Sequence, residues 1–177
     1  ILRRQSRLFG IPYEQLRNDM RADRVLLMKG VIPRREYLRR MAERFSVPSI
    51  RVRDLRPCIR PYRYFRRTWA VARKLHRAGY QVGVITNVTP PFPFSSQLRL
   101  FPFFRPVVRS YEVGFVKPER RIFEIARKRA VVRFSEMAFL DDREKNVTAA
   151  RKLGIKAFVY KNPTQLVRSL RRLGIQI

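Results

Sequence analysis

Apolar and polar positions follow two different rhythms along this chain, and the change of rhythm divides it. From residue 1 to about 58 the apolar residues recur three and four apart. "PRREYLRRMAERF" sets Tyr37, Leu38, Met41 and Phe45 on one helical face, and "PYEQLRNDMRA" likewise opens on a proline at the first turn. Little in this stretch reads as strand. Beyond "RPCIRPYRY" the texture changes. A helix with Trp69, Ala72 and Leu75 on one face ends near Ala78 and Gly79, and "YQVGVIT" follows as a short β-branched run. "PVVRS", "MAFLD" and "KAFVY" read as further strands. "PERRIFEIARKRA", which opens on Pro118, "REKNVTAARKLG" and "TQLVRSLRRLG" read as the helices that alternate with them.

Short apolar strands alternating with amphipathic helices predict an α/β fold, a Rossmann-like parallel sheet with helices on both faces. It is expected over residues 59–177, with residues 1–58 forming a small helical region. The Pro-Phe stretch at 90–94 reads as a packed connection. In open parallel sheets ligands bind at the carboxyl ends of the strands. Three polar features fall at such ends: Thr86 and Asn87 after "GVI", Ser110 with "YEVGFVKP" after "PVV", and Asp141 with Asp142 after "AFL".

Composition narrows the picture. With 45% apolar and 12% aromatic residues the chain can bury enough surface to fold. Its apolar runs are short and cut by Arg or Pro, so no membrane span is expected, and no secretory leader is visible. A cytoplasmic location is the expectation. One Cys (Cys58) and one His (His76) exclude an internal disulfide and the usual zinc sites. Both read as packing or surface residues. The formal net charge of +28 is spread over both halves, with 33 Arg against 8 Lys. Such a charge favours nonspecific binding of polyanions. No aromatic-basic RNA motif or basic zipper accompanies it, and a solvated face is the simpler reading.

Against that background the paired acids at 141–142 stand out. Adjacent carboxylates at one site repel each other and tend to hold a proton or a cation. Oxygen ligands at a strand end suit Mg²⁺ better than a transition metal. A hydroxyl (Thr86) and a lysine (Lys117) beside such an ion supply what a phosphoryl group needs. Taken singly, each has a plainer reading: a turn, a helix start, a helix cap.

"GVITN", "SYEVGFVKPERRIFEIA" and "FLDDREKNVTAARKLGIKAFVY" resemble the second, third and fourth motifs of the haloacid dehalogenase superfamily. The likeness is to its branch with a helical cap after the first strand. It covers residues 60–177 closely and the helical residues 1–58, where the cap would lie, more loosely. The resemblance implies that Thr86 and the Asn87 backbone bind phosphoryl oxygens and that Lys117 neutralises charge there. Asp142, with Asp141, would bind Mg²⁺, while Ser110 and Asn146 would support them. The implied activity is phosphatase action on a small phosphorylated metabolite through an aspartyl-phosphate. Some relatives dehalogenate small acids instead, and a non-catalytic basic binding protein on a retired scaffold is the alternative of a different class.

One part of the family pattern is absent. Its chemistry begins on a strand ending in Asp-x-Asp, and none of Asp19, Asp23, Asp54, Asp141 and Asp142 has another Asp two residues away. In relatives that strand lies mid-sheet, between the strands ending at Thr86 and Asp142. Its absence would leave two unpaired edges in the core. The chain begins with Ile. The expectation is an N-terminally truncated copy, inactive as it stands, with an Asp-x-Asp strand encoded upstream of Ile1.

Overall fold

In a computed structural model of the chain, residues 2–47, 66–89 and 102–176 are described. Cys58, the expected boundary near residue 58 and the Pro-Phe stretch at 90–94 lie outside the described residues.

The first stretch is helical, as its period predicts: α1 (Leu2–Phe9), α2 (Tyr13–Asp19), α3 (Arg21–Met28) and α4 (Arg34–Arg44). The helix expected through "PYEQLRNDMRA" breaks at Met20, which ends α2 and caps α3. That break turns Leu16, Met20 and Leu27 into one core with Tyr37 and Met41. Asp23 is buried beside this core, and Arg40 and Arg44 reach its carboxylate at 2.8 and 3.2 Å.

The second stretch alternates. In order come α5 (Arg66–Arg77), β1 (Val82–Thr86), β2 (Phe104–Arg109), α6 (Ser110–Val113) and α7 (Arg120–Ala130). A 3-10 turn (Phe134–Glu136), β3 (Ala138–Asp141), α8 (Glu144–Arg151), β4 (Lys156–Val159) and α9 (Pro163–Arg171) follow. Three local expectations shift. In α5 the buried position is Val71, which with Leu75 faces α9, whereas Trp69 meets Phe104 edge-on at 5.2 Å. Pro118 lies in the turn ahead of α7, which starts at Arg120. Ser110 leaves β2 and opens α6 instead of ending a strand.

Side chains of β3 show the layering. Phe139 packs into a core with Ile122, Phe123, Val147 and Ala150 from α7 and α8. Its neighbour Leu140 packs with Val71, Leu166 and Leu170 from α5 and α9. Successive strand residues point to opposite faces, so helices cover both sides of the strand layer. The mixed α/β architecture with parallel strands is therefore observed.

The sheet itself is divided. Among the described residues β1 pairs only with β2 and β3 only with β4, each in parallel. A cavity of about 620 Å³ separates the pairs. It is lined by Val82, Val84 and Ile85 of β1, by Ala138 and Leu140 of β3, and by Leu170 of α9.

Among the described residues the helical region meets the strand layer around Lys29 and Gly30. Lys29 pairs with Glu119 at 2.7 Å. Gly30, at φ +71°, passes so close to α6 that a Cβ there would stand 2.5 Å from the Tyr111 carbonyl oxygen. A side chain is excluded twice over, by the left-handed backbone and by the contact. No helix among the described residues is long and apolar enough to cross a membrane.

Candidate active site at the strand ends

Lys117 is the centre of the site. Its Nζ donates to the Ile85 carbonyl and to Asp141 Oδ2, each at 2.7 Å. One ammonium thus ties the end of β1 to the end of β3. The same cation lies 5.6 Å from the centre of the Phe139 ring, whose face favours a positive charge. The backbone of Lys117 is fixed as firmly. Asn87 Nδ2 donates to the Lys117 carbonyl at 2.9 Å, and the Lys117 N–H donates to Asn87 Oδ1 at 2.8 Å. Next along the chain, Ser110 Oγ accepts from the Val88 N–H at 3.0 Å and donates to the Val88 carbonyl at 3.1 Å. Two side chains therefore act as backbone surrogates, stitching the loop after β1 to the segments that carry Ser110 and Lys117. Thr86, half-buried, ends β1 beside this stitched loop.

The paired acids part company. Asp141 is buried and both its oxygens are engaged. Oδ2 accepts from Lys117, and Oδ1 accepts from Asn146 Nδ2 at 2.8 Å and from the Arg143 N–H at 3.0 Å. Burial pushes its carboxyl up, but the Lys117 hydrogen bond and charge, the Asn146 amide and the Arg143 N–H outweigh it. They hold it below its ordinary 3.8. Asp142 stands outside this network. It is exposed, and among the described residues no hydrogen bond or ion pair occupies its carboxylate. Asn146, on the first turn of α8, is buried, and its Oδ1 has no partner.

The structure thus brings Lys117, Asn87, Asp141, Asn146 and Ser110 into one hydrogen-bonded corner, with Thr86 and Asp142 at its edge. Sequence reading missed the Ile85 carbonyl as an acceptor and the Asn87 side chain as the clamp on Lys117. Neither contact has a signature in the chain, because each joins positions about thirty residues apart. His76 lies outside this corner, at the end of α5, stacked on Phe103 at 4.8 Å.

Oxygen donors alone at a strand end fit Mg²⁺, which takes one or two protein carboxylates and keeps waters and substrate oxygens as its other ligands. Asp142 is the carboxylate still able to serve, and the orphaned Asn146 Oδ1 is an acceptor on the same corner. Among the described residues no group of three or more His, Cys, Asp and Glu gathers.

Known proteins resemble this chain in sequence and in fold. The matched part of the chain is 34% identical over 104 residues to mouse acyl-CoA dehydrogenase family member 10, covering 56% of this chain and 9% of that protein. It is 31% identical over 100 residues to glyceraldehyde 3-phosphate phosphatase of Methanocaldococcus jannaschii, covering 55% of this chain and 42% of that one. The chain therefore spans less than half the length of either curated relative. Among solved structures, a HAD family enzyme of Bacteroides thetaiotaomicron superposes with TM-score 0.64 at 20% identity, over 89% of this chain and 82% of that one. The same enzyme in complex with magnesium and inorganic phosphate superposes at 0.59 and 21% identity, over 77% and 73%. A HAD-like family hydrolase of Porphyromonas gingivalis gives 0.59 at 20%, over 86% and 78%. At such identities the likeness shows the fold. The family model for haloacid dehalogenase-like hydrolases matches residues 9–154, from the first helices through α8, and so takes in every strand-end residue described above. The chain belongs to the haloacid dehalogenase-like hydrolases.

Proposed function

We propose that the strand-end corner is the phosphate-handling half of a Mg²⁺-dependent phosphatase acting on a small phosphate ester. The observation that carries this reading is Lys117, held by Asn87 through its backbone and by Asp141 and Ile85 through its ammonium. A cation fixed this way at the strand ends meets phosphoryl oxygens without reorganising, which is where electrostatic catalysis gains most. In this reading Thr86 donates its hydroxyl and the Asn87 backbone its N–H to the same oxygens. Asp141 serves by orienting Lys117, and Asp142 is the protein's arm on Mg²⁺. When bound, that ion supplies Lewis-acid polarisation of the phosphoryl group. Ser110 and Asn146 keep the loops in register.

In this reading the attacking group is the Asp-x-Asp pair of the family pattern, which residues 1–177 do not contain. Its first carboxylate displaces the ester oxygen from phosphorus, and the second gives that oxygen its proton; water then cleaves the aspartyl-phosphate. The 31% identical phosphatase makes glyceraldehyde 3-phosphate a reasoned first substrate. The helical region, joined to the core at Gly30 and Glu119 close to Lys117, is the cap over the site and the element that selects substrate.

The test uses a chain extended upstream through its reading frame, assayed for phosphate release from p-nitrophenyl phosphate and glyceraldehyde 3-phosphate. Release that requires Mg²⁺ and disappears in Asp142→Ala is the expected result. No release at any Mg²⁺ concentration would overturn the reading. A second reading rests on a separate observation. A groove between α5 and α9 has an aliphatic floor, Val71 and Val167, flanked by Arg67, Lys74, Arg168 and Arg172. Tight RNA binding that weakens steeply with salt, without turnover, would favour a polyanion-binding protein.

A further inference from the structure

A groove of about 810 Å³ runs between α5 and α9, and none of its lining residues belongs to the strand-end corner. Each helix lends it one face. On α5 the lining residues Arg67, Ala70, Val71 and Lys74 fall at i, i+3, i+4 and i+7. On α9 Thr164, Val167, Arg168 and Arg171 repeat that spacing. The groove is therefore about two helical turns long, roughly 10 Å. Its floor is aliphatic: Val71 is buried, and Pro163 and Val167 are half-buried. Its rims are cationic. Arg67, Lys74, Arg168 and Arg172 are exposed, and among the described residues their side chains make no hydrogen bond or ion pair.

Other helices neutralise their own cations. Arg39 holds Glu36 and Glu43 on α4, and Arg120 and Arg121 share Glu124 on α7. α5 and α9 have no such partners of their own, because they lie in two stretches, 55–111 and 145–177, that contain no Asp or Glu. Like charges facing one another across a groove repel, and an acidic guest relieves that repulsion. The floor decides what kind of acid. No aromatic side chain lines the groove among the described residues, so an unpaired base finds nothing there to stack on. A phosphate backbone has no use for an aliphatic floor, whereas a peptide with one apolar stripe does. An extended strand sends alternate side chains to opposite faces and would aim its carboxylates at solvent. An amphipathic helix sets them along both flanks of its stripe, where guanidinium forks can pair with them. The guest is not this chain. A second copy brings the same charge of +28, and the segments 48–65, with five Arg and one Asp, and 90–101, with no acid, carry the wrong sign.

We propose that the groove between α5 and α9 docks an acidic amphipathic helix of a partner protein, its apolar stripe on Val71 and Val167 and its carboxylates on the two basic rims. The inference goes beyond the phosphatase reading and does not depend on it, and phosphate release plays no part in its test.

A chain of charge +28 binds any polyanion to some degree, so the experiment compares guests of equal charge. A dansyl-labelled peptide of about fifteen residues, with Leu at helical spacing and Glu on both flanks, is titrated into the 177-residue chain. Saturable binding is expected, and a peptide of the same composition with the Leu stripe scrambled should bind at least about tenfold more weakly. Arg67→Gln with Arg168→Gln should cost at least about tenfold. Lys128→Gln with Lys152→Gln, which removes the same charge from exposed sites on α7 and after α8, should cost under about threefold. Ala70→Lys separates a groove from a bare field of charge. It adds a cation but places an ammonium on the apolar floor, so the striped peptide should bind about tenfold more weakly. Hydrogen exchange should slow in α5 and α9 when the striped peptide binds. Equal binding of the scrambled peptide, or tighter binding by Ala70→Lys, would overturn the inference. So would a single-stranded RNA or phosphatidylserine vesicles that slow exchange in α5 and α9 more than the peptide does.

Discussion

Among the described residues each half of the molecule buries one carboxylate, and the two are treated in opposite ways. Asp23, in the helical region, is gripped by Arg40 and Arg44 at 2.8 and 3.2 Å. Both cations reach solvent and have other partners: Arg40 also holds Glu36 at 2.7 Å, and Arg44 donates to the Asp19 carbonyl. Asp141, at the end of β3, meets one ammonium that is itself 12% exposed, against 36% and 44% for the two guanidiniums. The first arrangement is a lock between helices. Around the second, a carboxylate (Asp142) and a hydroxyl (Thr86) stand ready at the same edge. Burial of a charge says little about function until one asks what its counter-ion can still touch.

The contrast is broken most directly by Lys117→Met. It leaves Asp141 buried with only the Asn146 amide and the Arg143 N–H, and removing one member of a buried pair costs about 3–5 kcal/mol. Urea unfolding of wild type and variant checks this, and a loss of under about 1 kcal/mol would place Asp141 in water. The pH dependence carries the same information with a definite sign. The folded state holds the Asp141 carboxyl below its ordinary 3.8, so its contribution is complete above that pH. It is lost as pH falls through the lowered folded value. Wild type should lose stability below pH 3.8 along a slope that Lys117→Met flattens. In the helical region Glu36, hydrogen-bonded by Arg39 and then Arg40, is lowered to about 2 and adds a slope of the same sign between 4.5 and that value. The difference between the two proteins, not the wild-type curve alone, isolates Asp141.

Sequence reading reached the α/β alternation, the helical first stretch and the strand ends that carry the polar residues, because those depend on local period and on where a strand stops. It did not reach the break at Met20. Leu16, Met20 and Leu27 fit a continuous helical stripe equally well, and only packing against Tyr37 and Met41 selects the turn. The division of labour between Asp141 and Asp142 was also illegible. Neighbours on a strand end point to opposite sides, and which one meets Lys117 depends on the relative placement of β1 and β3. The Gly30–Tyr111 approach had no signal at all, since a glycine after a helix is ordinarily just a stop.

That joint supplies the next prediction. Gly30→Ala sets a Cβ 2.5 Å from the Tyr111 carbonyl oxygen on a backbone at φ +71°, so about 2 kcal/mol of stability should be lost. If the joint positions the helical region over Lys117, KM for a phosphate ester in the extended protein should rise more than kcat falls. An unchanged melting temperature would mean that the two regions do not meet this way in solution. Asp23→Ala should do less, about 1 kcal/mol, because Arg40 keeps Glu36 and both guanidiniums reach water. A loss equal to that of Lys117→Met would erase the distinction between lock and poised pair.

The smallest effect on stability should be the most informative. Asp142→Asn removes one exposed carboxylate that makes no hydrogen bond or ion pair among the described residues, so unfolding should shift by no more than about 0.5 kcal/mol. Its next-door counterpart Asp141→Asn takes the Lys117 contact away and should cost several times more. Mg²⁺ should separate the pair in the reverse sense. If Asp142 is the metal's arm, stabilisation of the extended protein by millimolar Mg²⁺ disappears in Asp142→Asn, since an ion that no longer binds the folded state cannot shift its melting temperature. Equal Mg²⁺ shifts in wild type and Asp142→Asn would move the metal elsewhere and leave Asp142 a solvated surface acid.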